Sequence, residues 1–147
     1  MLKYFASNQT FDSKTIEIYN LQLQELGVPI YKYRSDFIKN FSPLFLKRYQ
    51  AISKEKELVK LNYKSSLVEK SYGDLLRSSI NKDRTFQYTT EGIHKDDLEL
   101  LIHGKAVKKF GSQGQKKTYL ISLKIAQFDY LRAVSYTHLT LPTILLV

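Results

Sequence analysis

The chain has no cysteine, no tryptophan, one methionine and three prolines in 147 residues. Without a thiol there is no disulfide framework, no thiolate metal site and no cysteine nucleophile. Long apolar runs are missing too, so no stretch approaches the roughly 20 residues a bilayer-spanning helix needs. The opening Met1-Leu2-Lys3-Tyr4-Phe5-Ala6-Ser7 lacks the apolar core of a secretory signal. A cytoplasmic protein that does not engage membranes is the expectation. Acidic residues are the minority, 14 against 23 Lys and Arg, leaving a formal net charge of +9.

What is present is apolar and aromatic. A hydrophobic fraction of 43%, with 11 Tyr and 8 Phe, argues against disorder and for one domain with an aromatic-filled core. So basic a surface attracts nucleic-acid phosphates through Coulomb forces and counterion release. Acidic proteins and anionic membranes would feel the same pull, and a lysine-rich solvated face needs no partner at all. Charge alone does not choose.

The pattern along the chain predicts an α+β arrangement. Asp12-Ser13 offers an N-cap, and Ile16, Tyr19, Leu23, Leu26, Ile30, Tyr33 and Phe37 then step by threes and fours. That is a heptad seam, suited to packing along another helix, in either a helical hairpin or an extended arm. Gly27 with Pro29 predicts a kink, and Ser42-Pro43 a further bend. Leu58–Tyr63 reads as a strand, Leu67–Ile80 as a helix with Tyr72, Leu75, Leu76 and Ile80 on one face, and Arg84–Thr89 as a strand. Leu98–Ile102, His103-Gly104 and Ala106–Phe110 read as a hairpin. A mostly apolar helix follows Ser112 and runs to about Leu131. Residues 1–57 are expected to form a helical arm segment and 58–132 part of a globular head.

The last residues differ in texture: Val134–Val147 contain no Asp, Glu, Lys or Arg. Val134-Ser135-Tyr136-Thr137-His138-Leu139-Thr140-Leu141-Pro142-Thr143 resembles the translation of a transposon-type sequencing adapter. Residues 133–147 are therefore expected to be non-native read-through. The competing reading takes Thr143–Val147 as a core strand.

Two motifs carry chemistry. The first is Gly92-Ile93-His94-Lys95-Asp96-Asp97-Leu98, a glycine-containing loop before a strand. Acid–base work by Asp96 and Asp97 is conceivable, but adjacent strand residues point to opposite faces. A metal site at His94 lacks a convincing third ligand. The second is Gly111-Ser112-Gln113-Gly114-Gln115-Lys116-Lys117. Ser112 and Gln115 match a capping box, in which hydroxyl and side-chain amide each satisfy a free backbone N–H. The same helix start, with its positive dipole end and lysines, also suits a phosphate.

Together, and at this spacing, the two motifs with Leu123-Lys124-Ile125-Ala126-Gln127 resemble the C-terminal half of the RecF family. There the first motif is usually Gly-Pro-His-Arg-Asp-Asp, so Ile93 and Lys95 depart from it. The resemblance extends more loosely to the upstream helices and covers nearly all of Met1–Leu131.

The resemblance implies an ABC-type ATPase related to the SMC proteins, acting with DNA in replication, recombinational repair and the SOS response. Ser112, Gln113, Gly114 and Gln115 would be its signature motif. It would meet the γ-phosphate of ATP held by the other subunit of a dimer, with Gln115 bracing the loop. Gly92, His94, Lys95, Asp96 and Asp97 belong to the family motif, with bracing of the signature loop as their expected role. Lys105, Lys108, Lys109, Lys116 and Lys117 would meet phosphates of ATP or DNA. The implied partners are single-stranded and gapped DNA, a second copy, RecO and RecR; the implied cofactors of the intact protein are ATP and magnesium. No Gly-x-x-x-x-Gly-Lys-Ser/Thr loop and no apolar strand ending in an acidic pair occurs here, so this segment alone is expected to hold no cofactor, metal or catalytic residue. The alternatives are a small basic nucleic-acid-binding module, whose DNA binding would ignore ATP, and an independent hydrolase using Asp96 and Asp97.

Overall fold

The structure, a computed structural model, describes residues 12–53 and 57–139. Its elements are α1 (Ser13–Ile52), β1 (Val59–Lys64), α2 (Tyr72–Phe86), β2 (Asp97–Ile102), β3 (Lys105–Ala106), the single turn α3 (Val107–Phe110) and α4 (Gln113–Leu139). Short 3-10 turns cover Ser66–Val68 and Ile93–Lys95. The described residues divide into two compact units, each discontinuous in sequence. One joins residues 12–36 with Tyr63–Leu98; the other joins Phe37–Asn62 with residues 99–139. Among the described residues no helix is long and apolar enough to cross a membrane.

Asp12 starts α1 as expected, its carboxylate accepting from the Lys14 N–H at 3.0 Å and from the Thr15 hydroxyl. The expected kink and bend are absent, for α1 runs unbroken through Pro29 and Pro43. A proline inside a helix costs about 3 kcal/mol, chiefly through the lost N–H and the displaced carbonyl. Both prolines lie on the exposed face, where water can reach the freed carbonyls.

The heptad seam is not the face that packs. In the first unit α1 buries or half-buries Ile16, Asn20, Gln24, Gly27, Tyr31 and Ser35, spaced by fours and threes. Of the expected seam Leu26 is 67% and Tyr33 76% exposed. The reason is steric. A Cβ on Gly27 would overlap the Tyr72 ring of α2, and one on Gly73 would come within 2.5 Å of Gln24 Oε1. The glycines admit a close approach of α1 and α2, and that approach sets which face is covered.

α2 begins later than the pattern predicts, at a Ser71 cap whose Oγ accepts from the Asp74 N–H at 3.2 Å. Its apolar face is as expected, with Tyr72, Leu75 and Leu76 buried. The expected strand Arg84–Thr89 is not one: Arg84–Phe86 finish α2, and Gln87 closes it with a left-handed φ of 62°. Buried Asp83 holds the following loop, accepting the Thr90 N–H at 2.8 Å and the Thr90 hydroxyl at 2.5 Å.

The sheet has order β1-β2-β3. The His103 N–H donates to Leu58 O at 2.7 Å, and Asn62 Nδ2 donates to Glu99 Oε2 at 2.9 Å. Four residues forward on one chain match four back on the other, so β1 and β2 are antiparallel. β2 and β3 pair antiparallel around His103-Gly104, both at positive φ, as a two-residue hairpin turn requires. The expected second hairpin strand stops at Ala106, and Val107–Phe110 turn into α3 instead.

Within the second unit the core is aromatic. Phe41, Phe45 and Tyr49 of α1 pack with Val59, Leu61, Ile102, Val107, Tyr119 and Ala126. The Tyr119 hydroxyl donates to Lys60 O at 2.9 Å and lies 3.5 Å from Leu101 O. Burial pushes its pKa up to about 12. α4 hides Tyr119, Ser122 and Ala126 but leaves Leu120, Ile121, Phe128 and Leu131 exposed, so it is half-covered where the sequence predicted a largely buried helix. It extends past Leu131 to Leu139, into the segment expected to be read-through; Thr140–Val147, with the alternative strand, lie outside the described residues.

Arg48 of α1 forks onto Asp129 of α4, with Nε–Oδ2 at 2.5 Å and Nη2–Oδ1 at 2.9 Å. These bonds hold Asp129 below the usual carboxylate range. A depressed folded-state pKa contributes stability above the unfolded value and loses it as pH falls through the folded value. Asp129→Asn is therefore expected to lower the melting temperature at pH 7, and the gap to the parent should close as pH falls below about 4. A gap independent of pH would show that the charge plays no part.

Candidate functional site

The second motif begins where α3 ends. The Gly111 N–H donates to Val107 O at 2.9 Å, and a Cβ on Gly111 would come within 2.8 Å of that same carbonyl. The chain then turns into α4, and the capping box forms as the sequence predicts. Ser112 Oγ accepts the Gln115 N–H at 3.2 Å, and Gln115 Oε1 accepts the Ser112 N–H at 2.7 Å. The N–H groups of Gln113 and Gly114 are the first two of the helix and have no intrahelical acceptor.

Ser112, Gln113 and Gly114 are exposed. Among the described residues nothing accepts their remaining donors: one hydroxyl proton and two amides. A Cβ on Gly114 would find only Ser112 Oγ, at an unstrained 3.9 Å. The fold therefore needs Gly111 and does not need Gly114.

Gln115 is held from its other end by a residue that the sequence did not single out. Its Nε2 donates to Glu57 Oε1 at 2.6 Å. Glu57 Oε2 in turn accepts from the Tyr49 hydroxyl and, at 3.4 Å, from Ser53 Oγ. Nothing in the charge-rich Lys54-Glu55-Lys56-Glu57 stretch distinguishes Glu57 from its neighbours.

The candidate lysines sit on the elements flanking this turn. Lys108 and Lys109 end α3 and are exposed; Lys116 and Lys117 lie in the first turns of α4, half-buried and exposed respectively. Lys105 Nζ lies 5.7 Å from the Phe110 ring centroid, a cation–π contact.

The first motif belongs to the other unit and is described by itself. Gly92 has φ +129°, and a Cβ there would approach the buried Tyr72 hydroxyl to 2.5 Å. Burial raises the Tyr72 hydroxyl above the ordinary tyrosine range, partly offset by a hydrogen bond from the Ile93 backbone. His94 Nε2 lies 2.8 Å from Thr89 O. A carbonyl can only accept, so that nitrogen carries the proton and straps the loop. Lys95 Nζ lies 5.2 Å from the Tyr88 ring centroid.

Asp96 and Asp97 do not act as a pair. Asp97 is exposed and caps the Leu98 N–H at 2.8 Å. The Asp96 side chain is 2% exposed; its Oδ2 accepts from the Tyr63 hydroxyl at 2.5 Å and lies 3.6 Å from Arg34 Nη1. Arg34 Nη1 also donates to Ile93 O at 2.8 Å. Burial first, then the bond to Asp96, push the Tyr63 hydroxyl up to about 12. Asp96 thus fastens its loop to α1 and β1. Its Oδ1 is buried without a hydrogen bond among the described residues. No group of three or more His, Asp or Glu able to hold a metal occurs among them either.

An α+β chain with a capped, glycine-bearing helix packed on a small antiparallel sheet has the architecture of part of an ABC-type ATPase head. No protein-family model matches it. Over 135 residues it is 51% identical to the DNA replication and repair protein RecF of Flavobacterium johnsoniae, covering 92% of this chain and 38% of that protein. To the protein of the same name from Phocaeicola vulgatus it is 40% identical over 126 residues, 86% of this chain and 34% of that one. A solved structure of the recombination mediator protein RecF-ATPrS in the RecFOR pathway superposes with TM-score 0.80 at 25% identity, covering 90% of this chain and 38% of that one. The chain belongs to the RecF family and spans little more than a third of these relatives' length.

Gly92→Ala combines a left-handed φ with a clash, so about 2–3 kcal/mol of stability should be lost. Urea unfolding followed by tyrosine fluorescence measures this. An unchanged midpoint would show that the loop does not depend on the Gly92–Tyr72 contact.

Proposed function

We propose that this chain is the arm and signature-motif portion of a RecF-type ATPase, with residues 1–57 contributing to the arm and 58–132 to the head. The signature turn binds ATP in trans. Ser112 donates its hydroxyl to the γ-phosphate held by a second subunit, and the amides of Gln113 and Gly114 complete the cradle. Lys105, Lys108, Lys109, Lys116 and Lys117 supply the positive field for phosphates of ATP or DNA. The phosphate-binding loop and the magnesium-holding carboxylates come from the rest of the intact protein. ATP-dependent dimerisation then controls binding at single-strand gaps in the cytoplasm, in recombinational repair and the SOS response, with RecO and RecR as partners.

The observation that carries this reading is the contrast between the two glycines. Gly111 is required by a backbone contact inside the chain, whereas Gly114 is required by nothing inside it. A helix pays for a glycine in its first turn, since alanine is better by up to about 1 kcal/mol. A bare backbone beside two free amides and a serine hydroxyl is what close approach of a phosphate demands.

The test is Gly114→Ala in the full-length protein containing this segment. Chemical unfolding should be unchanged or slightly shifted towards greater stability. ATP-driven dimerisation, followed by analytical ultracentrifugation, should weaken tenfold or more, as for about 1.4 kcal/mol of lost interaction. Dimerisation unaffected by the substitution, together with DNA binding that depends on salt but ignores ATP, would favour a basic nucleic-acid-binding module.

A further inference from the structure

We infer that Glu57 is a positioning residue for the signature turn: it fixes the Gln115 amide and so anchors the nucleotide-facing end of α4 to the aromatic core. The inference rests on the signature reading above and adds to it a residue outside the motif.

The geometry is specific at both ends of the Gln115 amide. Only Oε1 can accept from the Ser112 N–H, at 2.7 Å, and only Nε2 can donate to the Glu57 carboxylate, at 2.6 Å. An amide without the second contact can turn about its last bond and present either end to Ser112. With a carboxylate on its nitrogen it cannot turn without placing oxygen against oxygen. Glu57 therefore selects the orientation in which Gln115 holds the Ser112 backbone.

The other carboxylate oxygen reaches the protein interior. Glu57 Oε2 takes the hydroxyl of Tyr49, which is 1% exposed and packs on Phe45 and Tyr119. A charged acceptor makes these bonds stronger than neutral ones. A short path of hydrogen bonds thus runs from the core through Glu57 and Gln115 to the backbone of Ser112. Loosening that path leaves the donors of Ser112, Gln113 and Gly114 in place chemically but lets their directions spread. Preorganised donors are what a charged ligand rewards.

The experiment uses the full-length protein with Glu57→Ala, Gln115→Ala, the double variant and Ser112→Ala. It measures ATP binding by single subunits at low protein concentration, the ATP concentration giving half-maximal dimerisation, and the unfolding midpoint without nucleotide. Glu57→Ala should leave ATP binding by the single subunit unchanged and raise the ATP concentration for dimerisation about tenfold. Because Glu57 acts through Gln115, the double variant should be no worse than Gln115→Ala alone.

Losses that add in the double variant, or a Glu57→Ala effect confined to the unfolding midpoint, would overturn the proposal. If Glu57→Ala does not fold, Glu57→Gln, which keeps the shape but offers only one acceptor oxygen, is read against Gln115→Ala in the same way. Ser112→Ala separates the two levels. Loss of dimerisation there with none in Glu57→Ala sinks the tether alone. Full dimerisation in Ser112→Ala sinks the signature reading and the tether with it.

Discussion

A phenol buried with its ring must find an acceptor, and the second unit is arranged around that constraint at Tyr119. The ring is 1% exposed and packs against Phe45 at 4.7 Å and Tyr49 at 5.6 Å between centroids. Its hydroxyl meets Lys60 O of β1 and reaches towards Leu101 O of β2. One side chain therefore fixes both the depth of α4 under the sheet and its position along it. An apolar ring could have supplied the depth, but only the hydroxyl specifies which carbonyl lies opposite. Ser112–Gln115 sit on the turns just before Tyr119, so pinning the tyrosine also pins the motif. Tyr49 repeats the logic, its ring in the core and its hydroxyl on Glu57.

The sequence was most legible where the physics is local. The capping box at Ser112 involves residues three apart, and the structure contains both of its bonds. The His103-Gly104 turn is equally local, and both residues adopt the positive φ that such turns need. Where tertiary contacts decide, the reading went astray. Arg84–Thr89 has strand-like composition, but Asp83 reaches seven residues ahead to Thr90 and holds the segment as a loop. The α1 seam is the clearest case. Apolar periodicity marked a face, yet shape complementarity between Gly27 and Tyr72 selected another one, lined by Asn20, Gln24 and Ser35. Removing a Cβ leaves no hydrophobic signal, so a periodicity count cannot see it.

The candidate site divides in the same way. Ser112, Gln113, Gly114 and Gln115 could be singled out because their spacing is itself the mechanism. Glu57 could not, since its partner is 58 residues away. Asp96 lies between these cases. Its motif is visible, but the motif does not say that Arg34, on a helix 62 residues upstream, and Tyr63 would take its carboxylate. Buried and bonded on one oxygen, Asp96 has the surroundings of a fastening and not of a proton shuttle, which must reach both substrate and solvent. The adjacent Asp97 faces water.

The glycines show how a folded chain can record a constraint that lies outside it. At Gly27, Gly92 and Gly111 an added carbon would strike tyrosine or backbone, so each glycine is explained by the chain's own packing. At Gly114 the space is open and the backbone is ordinary helix, where glycine is the weakest choice among non-proline residues. Two neighbouring amides and a hydroxyl there have no acceptor among the described residues. A position that is costly to the helix, unneeded by the core and surrounded by unused donors is explained most economically by something that must come close to the backbone. The positive end of the α4 dipole and the adjoining lysines give that something its sign, and it is negative.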